Sequence, residues 1–477
     1  MASKTSTTGL AVPSKRLSRL WHMGRATTDF ASGIGLRGMI DLARSREGDG
    51  QRIRLSPAAT ERLTNRLARM RGAVMKMGQL MSMDGADVFT PEAAEIMATL
   101  RDRAEPMPLS QLNRVLSAEL GKDWNKQFKR FEFEPIAAAS IGQVHRAETR
   151  DGRRLALKVQ FPGVRESIDS DIANLGFLSR NFGMMPEGFD PMPMLEEARV
   201  QLHEEADYEA EAASLQAYRA LIGDDPDFLV PAVHQDLSTS RVLAMDFAGG
   251  VSIDQLTASQ YSRSERNRVA TLMSRLMIRE LFDFALVQTD PNFGNFLYDA
   301  ESRRIVLLDF GATRAVPPAL IDGYRALARA TLANDQAGMR QGAVALGYIG
   351  DDVPDEQAAR LIDLISLSGE VITSAGPYDF GSSTLFERVF ARGRDMFQDK
   401  QFSHMPEPAT MFLQRKFAGI FMLCRRLRAE VDLRAMLEPY LFDASVPGTL
   451  IDPSQTSQEN RSNISSTAAH LSPATHA

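Results

Sequence analysis

Four consecutive apolar residues, Ile305-Val306-Leu307-Leu308, run directly into Asp309-Phe310-Gly311. Such a run reads as a buried strand, and the glycine that follows permits a sharp turn. A carboxylate at the end of a buried strand is poorly solvated, so the fold must supply a cation or a hydrogen-bond network for Asp309. Mg2+ bound to phosphates is a natural partner for such a group. Upstream, Gln288-Thr289-Asp290-Pro291-Asn292-Phe293-Gly294-Asn295 puts Asp290 and Asn295 five positions apart, and Asp309 follows fourteen positions later. Either piece alone is weak, because short motifs recur by chance. Their joint spacing is far more specific than a polar loop capping a hairpin.

Kinase catalytic loops place Asp-x4-Asn ahead of a metal-binding Asp-Phe-Gly. In that scheme Asp290 accepts or positions a hydroxyl proton, while Asn295 and Asp309 hold the metal. The texture of the chain agrees with a two-lobed α+β fold. Residues 57–120 are helical in pattern, with Leu63, Leu67, Met70, Val74, Met77 and Met81 forming one apolar stripe. Residues 131–161 read as strands, with a tight turn at Asp151-Gly152, after which Leu155, Leu157, Val159 and Phe161 alternate with Ala156, Lys158 and Gln160. Helical pattern returns over 192–222, short strands are expected near 228–247, and 255–290 reads as helix. A second strand pair surrounds residues 299–302, and everything beyond about 317 reads as helix.

Composition narrows the classes. The chain has 477 residues, 44% hydrophobic and 24% charged, which is ordinary for a globular protein and excludes a wholly disordered, collagenous or coiled-coil chain. At roughly 100–200 residues per domain it predicts about three units, or one large two-lobed fold with extensions. A net charge of −6 gives no overall basic footprint for nucleic acid. No apolar run reaches the roughly 18 residues of a membrane-spanning helix. The single cysteine, Cys424, rules out an internal disulfide and a cysteine-built zinc site, and it reads as a buried helical residue. Residues 1–50 are expected to be a flexible basic segment, 51–125 a helical extension, 126–247 a strand-rich lobe, 248–443 a helical lobe, and 444–477 a disordered tail rich in Ser, Thr, Asn, Gln and Pro.

Lys158 lies in the middle of an apolar strand, a position that favours exposure or a charged partner. With the two motifs above it matches the kinase lysine that contacts the α- and β-phosphates. That lysine requires a helical carboxylate, and Glu204, Asp207 and Glu211 are offered on one face of the 192–222 segment. Where kinases carry Gly-x-Gly-x-x-Gly, this chain reads Ala137-Ala138-Ala139-Ser140-Ile141-Gly142. Cβ atoms restrict the backbone there, so the grip on phosphate should differ from that of an ordinary kinase. Lys76-Met77-Gly78-Gln79 on the Met-rich helix reads, from spacing alone, as a surface patch.

Taken together, these segments resemble the UbiB/AarF family of atypical protein-kinase-like proteins, particularly the branch containing the mitochondrial Coq-eight proteins. The likeness rests on Lys76 to Gln79 (KxGQ), the Ala-rich loop, Lys158, Glu205-Ala206-Asp207 (ExD) with Tyr208 and Glu211, the Gln288 to Asn295 loop and Asp309-Phe310-Gly311, in order over about 70–430. The resemblance implies a small strand-rich N-lobe, a large helical C-lobe and a helical KxGQ extension. It implies ATP and Mg2+ as cofactors, with Lys158 and Glu211 as an ion pair, Asp290 as the catalytic-loop aspartate, and Asn295 and Asp309 as metal ligands. It places nucleotide against Ala137, Ala138, Ala139, Ser140, Gly142, Lys158, Met245 and Phe247. It also implies that Lys76, Gly78 and Gln79 meet Glu205 and Asp207. A regular helix would not put those two acids on one face, so a local irregularity, or direct contact by only one of the two, is expected. Ser214, Phe293-Gly294 and Asp246 depart mildly from the family's pattern.

The implied function is an ATPase or phosphotransferase supporting ubiquinone biosynthesis at a membrane surface. The expected ligands are ATP and a lipid or quinone precursor, with quinone-biosynthesis enzymes as partners, no nucleic acid, and a homodimer allowed. The alternatives are a nucleotide-gated scaffold or lipid-binding chaperone and an ordinary Ser/Thr kinase. The last is disfavoured because no Arg precedes Asp290 and no long activation loop follows Gly311. The expected location is cytoplasmic and peripheral to the inner membrane, with the mitochondrial matrix face as the alternative.

Overall fold

The computed structural model describes residues 72, 76, 106–181, 192–290, 292–350, 353–398 and 408–442. The apolar stripe over 63–81, Gly78, Gln79, the basic N-terminal segment and the polar tail lie outside the described residues, Gly72 and Lys76 apart. The chain divides into two compact units: Met1–Gln255 with Asn292–Thr313, and Leu256–Pro291 with Arg314–Ala477.

In the first unit α1 (Leu109–Glu119) buries Leu112, Val115 and Leu116 at the spacing of one helix face. A five-stranded sheet follows, built from β1 (Phe128–Phe131), β2 (Ala137–Ala138), β3 (Gly142–Thr149), β4 (Arg154–Gln160) and, later, Val242–Asp246. β3 and β4 form an antiparallel hairpin in register from Gly142 opposite Gln160 to Glu148 opposite Arg154. Its turn uses Gly152 at φ 91°, a backbone conformation that costs glycine little. Leu155, Leu157 and Val159 are fully buried, as the alternation predicts.

Three helices come next: α2 (Ile168–Asn181), α3 (Met192–Glu205) and α4 (Tyr208–Ile222). The single helix expected over 192–222 is thus two. The break follows from Asp207, whose side chain accepts the Ala210 N–H at 3.0 Å and starts a new helix as its N-cap. Glu204, Asp207 and Glu211 therefore do not share a helix face.

Val242–Asp246 is β6 of the first sheet, and Leu286–Gln288 (β8) belongs to the other unit; a second sheet is built from β5 (Phe228–Leu229), β7 (Val251–Ser252), β9 (Phe296–Asp299) and β10 (Arg304–Leu307), in the order β5–β10–β9–β7. β10 lies parallel to β5 and antiparallel to β9, and Ile305 and Val306 are fully buried. This is the buried strand expected ahead of Asp309.

The second unit is helical: α5 (Arg263–Phe282), α6 (Pro318–Leu332), α7 (Gln336–Ala345), α8 (Asp355–Ser368), α9 (Glu370–Thr373), α10 (Leu385–Gln398), α11 (Pro408–Arg426) and α12 (Leu433–Phe442). Its core includes Ile278, Leu281, Leu320, Met339, Leu346 and Leu413. Cys424 is buried on α11, as expected. The reading of everything past 317 as helix needs one correction. The two-residue strands Tyr378–Asp379 and Glu430–Val431 pair antiparallel, and two residues are too few to show an alternation.

Gly142 is the position where the first sheet tolerates no side chain. A Cβ there would lie 2.6 Å from the Val159 carbonyl oxygen and 2.8 Å from the Tyr208 hydroxyl. Gly142→Ala is expected to cost about 1–3 kcal/mol, because backbone cannot yield as a flexible side chain can. A urea melt with an unchanged midpoint would contradict it.

Candidate nucleotide site

Lys158 occupies the buried stretch of β4, opposite Val144 on β3 and Leu243 on β6. Its ammonium donates to both Glu211 carboxylate oxygens, at 2.7 and 2.8 Å, and to Asp309 Oδ2 at 3.2 Å. It also stands 5.1 Å from the centre of the Tyr208 ring. The three candidate carboxylates thus resolve to one: Glu211, on the first turn of α4, is the helical partner.

Lys158 faces two carboxylates here, and the charge of Lys76 also acts on Asp309. Burial pushes Glu211 up to about 7 despite Lys158, and the nearby Asp309 charge adds to the rise. Asp309 goes the other way. Burial opposes its ionisation, but Lys158 and the Gly311 N–H, which donates to Oδ1 at 3.0 Å, hold it below the usual carboxylate range. Burial works against the Lys158 charge, yet the two carboxylates raise it well above an ordinary lysine.

Asn295 closes a 3-10 turn (Phe293–Asn295) that is capped by the Asn292 side chain accepting the Gly294 N–H. Its backbone carbonyl accepts the N–H of Leu308 at 3.0 Å, so Asn295 and Asp309 lie on bonded neighbouring strands of backbone. Phe310 is buried against Tyr218, with ring centres 4.6 Å apart, which fixes the turn that presents Asp309.

The residues fit a magnesium nucleotide. Asn295 and Asp309 supply hard oxygen donors, and Mg2+ is usually held by one or two such groups together with phosphates and water. Glu211 is buried and Asp309 half-buried, so phosphates brought beside them would add negative charge that a cation would offset.

Ala137 and Ala138 are exposed in β2, Ala139 is half-buried, and the chain turns tightly back, with the Ala139 N–H donating to the Gly142 carbonyl at 2.9 Å. Ser140 Oγ donates to Glu205 Oε2. Glu205 is also paired with Lys76, whose Nζ is 2.5 Å from Oε1, and both residues are buried. A Cβ on Gly311 would lie 3.6 Å from the Glu205 Cα, so this carboxylate borders the Asp309 turn. Asp207 does not join it. It caps α4 and lies 3.6 Å from Arg165.

Met245 is buried in β6 opposite Ala156. The N–H groups of Asp246 and Phe247 are spent on Ala232 and Arg154 carbonyls, and the Phe247 ring lies 4.1 Å beneath the Arg146 guanidinium. These two N–H groups are therefore not available to a base.

Asp290 belongs to the helical unit, two residues beyond β8, and is half-buried. Its anchor was not legible in the sequence. Lys416, on α11, is buried and pairs with Glu280 Oε2 at 2.8 Å, while donating to the Gln288 carbonyl at 2.9 Å. Glu280 Oε1 in turn accepts the Gln288 N–H at 3.2 Å. Both main-chain groups of Gln288 are thus held by one buried ion pair. A second feature without a sequence signal is the Tyr208 hydroxyl, which is buried with no hydrogen-bond partner among the described residues.

Glu205→Gln leaves the Lys76 ammonium buried beside a neutral group. The expected loss is about 3 kcal/mol, the cost of breaking a buried pair. The double variant Lys76→Met/Glu205→Gln should lose less than the sum of the singles, and strict additivity in denaturant melts would show the contact to be energetically idle.

Residues 99–343 match the family described as the ABC1 atypical kinase-like domain. The chain is 36% identical to the atypical kinase COQ8B, mitochondrial, of Rattus norvegicus, over 90% of this chain and 80% of the relative. It is 35% identical to the atypical kinase COQ8, mitochondrial, of Saccharomyces cerevisiae, over 88% of this chain and 84% of the relative. Among solved structures, the Rv3197–erythromycin complex from Mycobacterium tuberculosis matches 80% of this chain and 95% of its own, with a TM-score of 0.54 and 25% identity. The fold is protein-kinase-like: α+β, with a strand-rich N-terminal part and a helical C-terminal part.

Proposed function

The chain belongs to the ABC1 atypical kinase-like family, and from that premise we propose that it binds Mg-ATP and hydrolyses or transfers its terminal phosphoryl group, in support of quinone biosynthesis at a membrane surface. One observation carries the reading: a single buried ammonium, Lys158, shared between Glu211 and Asp309. When bound, held by Asn295 and Asp309, Mg2+ would supply positive charge against the phosphates. Glu211 holds Lys158 in place to donate to phosphate oxygens. Asn295 and Asp309 present the metal ligands. Asp290 holds the proton of the attacking hydroxyl or water.

A peptide-phosphorylating role is disfavoured by length. Only six residues separate Gly311 from the start of α6 at Pro318, too few for the long loop on which protein kinases seat a peptide. Among the described residues no helix is long and apolar enough to cross a membrane, so the reading places membrane contact at the surface of the bilayer or through a partner.

A second reading, nucleotide-gated binding of lipid or biosynthetic enzymes, is favoured by Glu205. This one carboxylate ties Lys76, in the N-terminal extension, to Ser140 in the Ala-rich loop. A change in the loop on nucleotide binding would reach the extension directly.

The test is ATP turnover by the full chain with Mg2+, with and without anionic liposomes. Turnover should be absent in Asp309→Asn. Asp290→Asn should retain nucleotide and lose about 10²–10⁴-fold in rate, the usual worth of a positioned acid or base. A folded wild-type protein that neither binds nor turns over ATP would sink both readings. Quinone synthesis supported by Asp290→Asn would select the gated scaffold.

A further inference from the structure

The helical unit contains a cavity of about 560 Å³ that the nucleotide chemistry does not use. Helices α5, α6 and α8 to α12 all contribute to its wall, and no lining residue is charged. Gln414 is exposed and bonds Tyr348, and the cavity's other polar side chains are mostly engaged with the wall itself. The Tyr324 and Tyr348 hydroxyls bond each other at 2.8 Å, Ser274 Oγ lies 3.8 Å from Cys424 Sγ, and the Thr331 hydroxyl donates to the Leu327 carbonyl at 2.8 Å. Water in such a space needs two to four polar partners, which this wall does not offer. Several lining apolar groups, among them Leu327, Ile372 and Phe421, are only half-buried, so the cavity opens to the surface. A contiguous apolar surface of this kind marks a binding site.

The size is informative. A dry cavity of about 150 Å³ suffices for benzene, and ligand pockets span roughly 300–1,000 Å³. Left empty, so large a space would forfeit packing on every side. Charge returns beside it. Arg388 pairs with Glu370 at 2.6 Å, Arg425 pairs with Glu387, and the Arg425 guanidinium lies 5.0 Å from the ring centre of Phe386, itself part of the wall.

We propose that this cavity binds the hydrocarbon chain of a long-chain amphiphile, with the polar head at the paired charges of α9, α10 and α11. A wall that is uncharged and carries one amide, Gln414, among mostly apolar groups favours hydrocarbon, and a charged margin of both signs accepts a head group. The walls converge from seven helices, so an extended chain fits where a folded surface would not enter.

The test uses the full-length protein and cis-parinaric acid, whose fluorescence rises in apolar surroundings. Saturable binding of one probe per chain is expected, and Ala418→Trp should weaken it by about tenfold or more, since an indole takes up space the chain would fill. Ala418 is exposed on the wall, so the substitution need not repack the core. Mant-ADP affinity should not change in the same samples, which separates this proposal from the nucleotide reading. Phe421→Trp should also be quenched by 9,10-dibromostearate beyond the wild-type signal, a readout that does not depend on the first variant folding. Competition by oleate against geranylgeraniol distinguishes an acyl from a prenyl chain. No saturable uptake, or uptake indifferent to Ala418→Trp with no added quenching, overturns the proposal. The last two outcomes would leave the space to a partner's helix or to another segment of this chain.

Discussion

Lys158→Met is expected to abolish detectable nucleotide binding and to destabilise the protein by about 3 kcal/mol, because it takes the ammonium from the buried Glu211 carboxylate and the half-buried Asp309. The loss should depend on pH, and the sign follows from Glu211. Its folded pKa, raised to about 7, lies above the value of an ordinary glutamate. Between those two values the folded state binds more protons than the unfolded state, so stability grows as pH falls through that window and is lost as pH rises through the folded pKa. Without Lys158 the Glu211 carboxyl is harder still to ionise, and the window extends upward. Denaturant midpoints at pH 6 and pH 8 should therefore differ more in Lys158→Met than in the wild type. Lys158→Met/Glu211→Gln should regain stability without regaining nucleotide, because a neutral amide removes the buried charge but supplies no phosphate contact. Wild-type mant-ADP affinity in the single variant would remove Lys158 from the site.

Lys416→Met carries the second large effect, and it separates positioning from mere stability. The substitution takes the ammonium from the Glu280 carboxylate, which is fully buried, and removes the Lys416 donor from the Gln288 carbonyl. A loss of about 3–5 kcal/mol is expected from breaking such a pair. If Asp290 acts as proposed, kcat should also fall by about tenfold or more while mant-ADP affinity stays near wild type, since a small displacement of a reacting group is costly. Adding Glu280→Gln should restore much of the stability, because the buried charge is removed, but little of the rate. Unchanged kcat in a folded Lys416→Met protein would make the pair purely structural.

The hairpin at Asp151-Gly152, the buried run before Asp309 and the Asp290–Asn295–Asp309 spacing were legible in the sequence. Each is a local pattern: alternation, a turn dipeptide, or a fixed number of residues along one chain. Local rules of backbone and burial suffice for them.

Tertiary structure alone decided which charge meets which. On spacing alone Glu204, Asp207 and Glu211 were equal candidates for Lys158, and only the family resemblance singled out Glu211; the break at Asp207 turns that acid into a helix cap and delivers Glu211 to an ammonium 53 residues away. The Asp309 carboxylate reaches the same ammonium across 151 residues. Lys416 looks like any lysine on an amphipathic helix until burial forces it to find Glu280 and Gln288. The apolar cavity likewise has no counterpart in any one segment, because seven helices each contribute a part of an ordinary apolar face. The physical reason is common to these cases. Burial makes an unpaired charge or an unfilled space expensive, and burial is a property of the assembled chain rather than of any stretch of it.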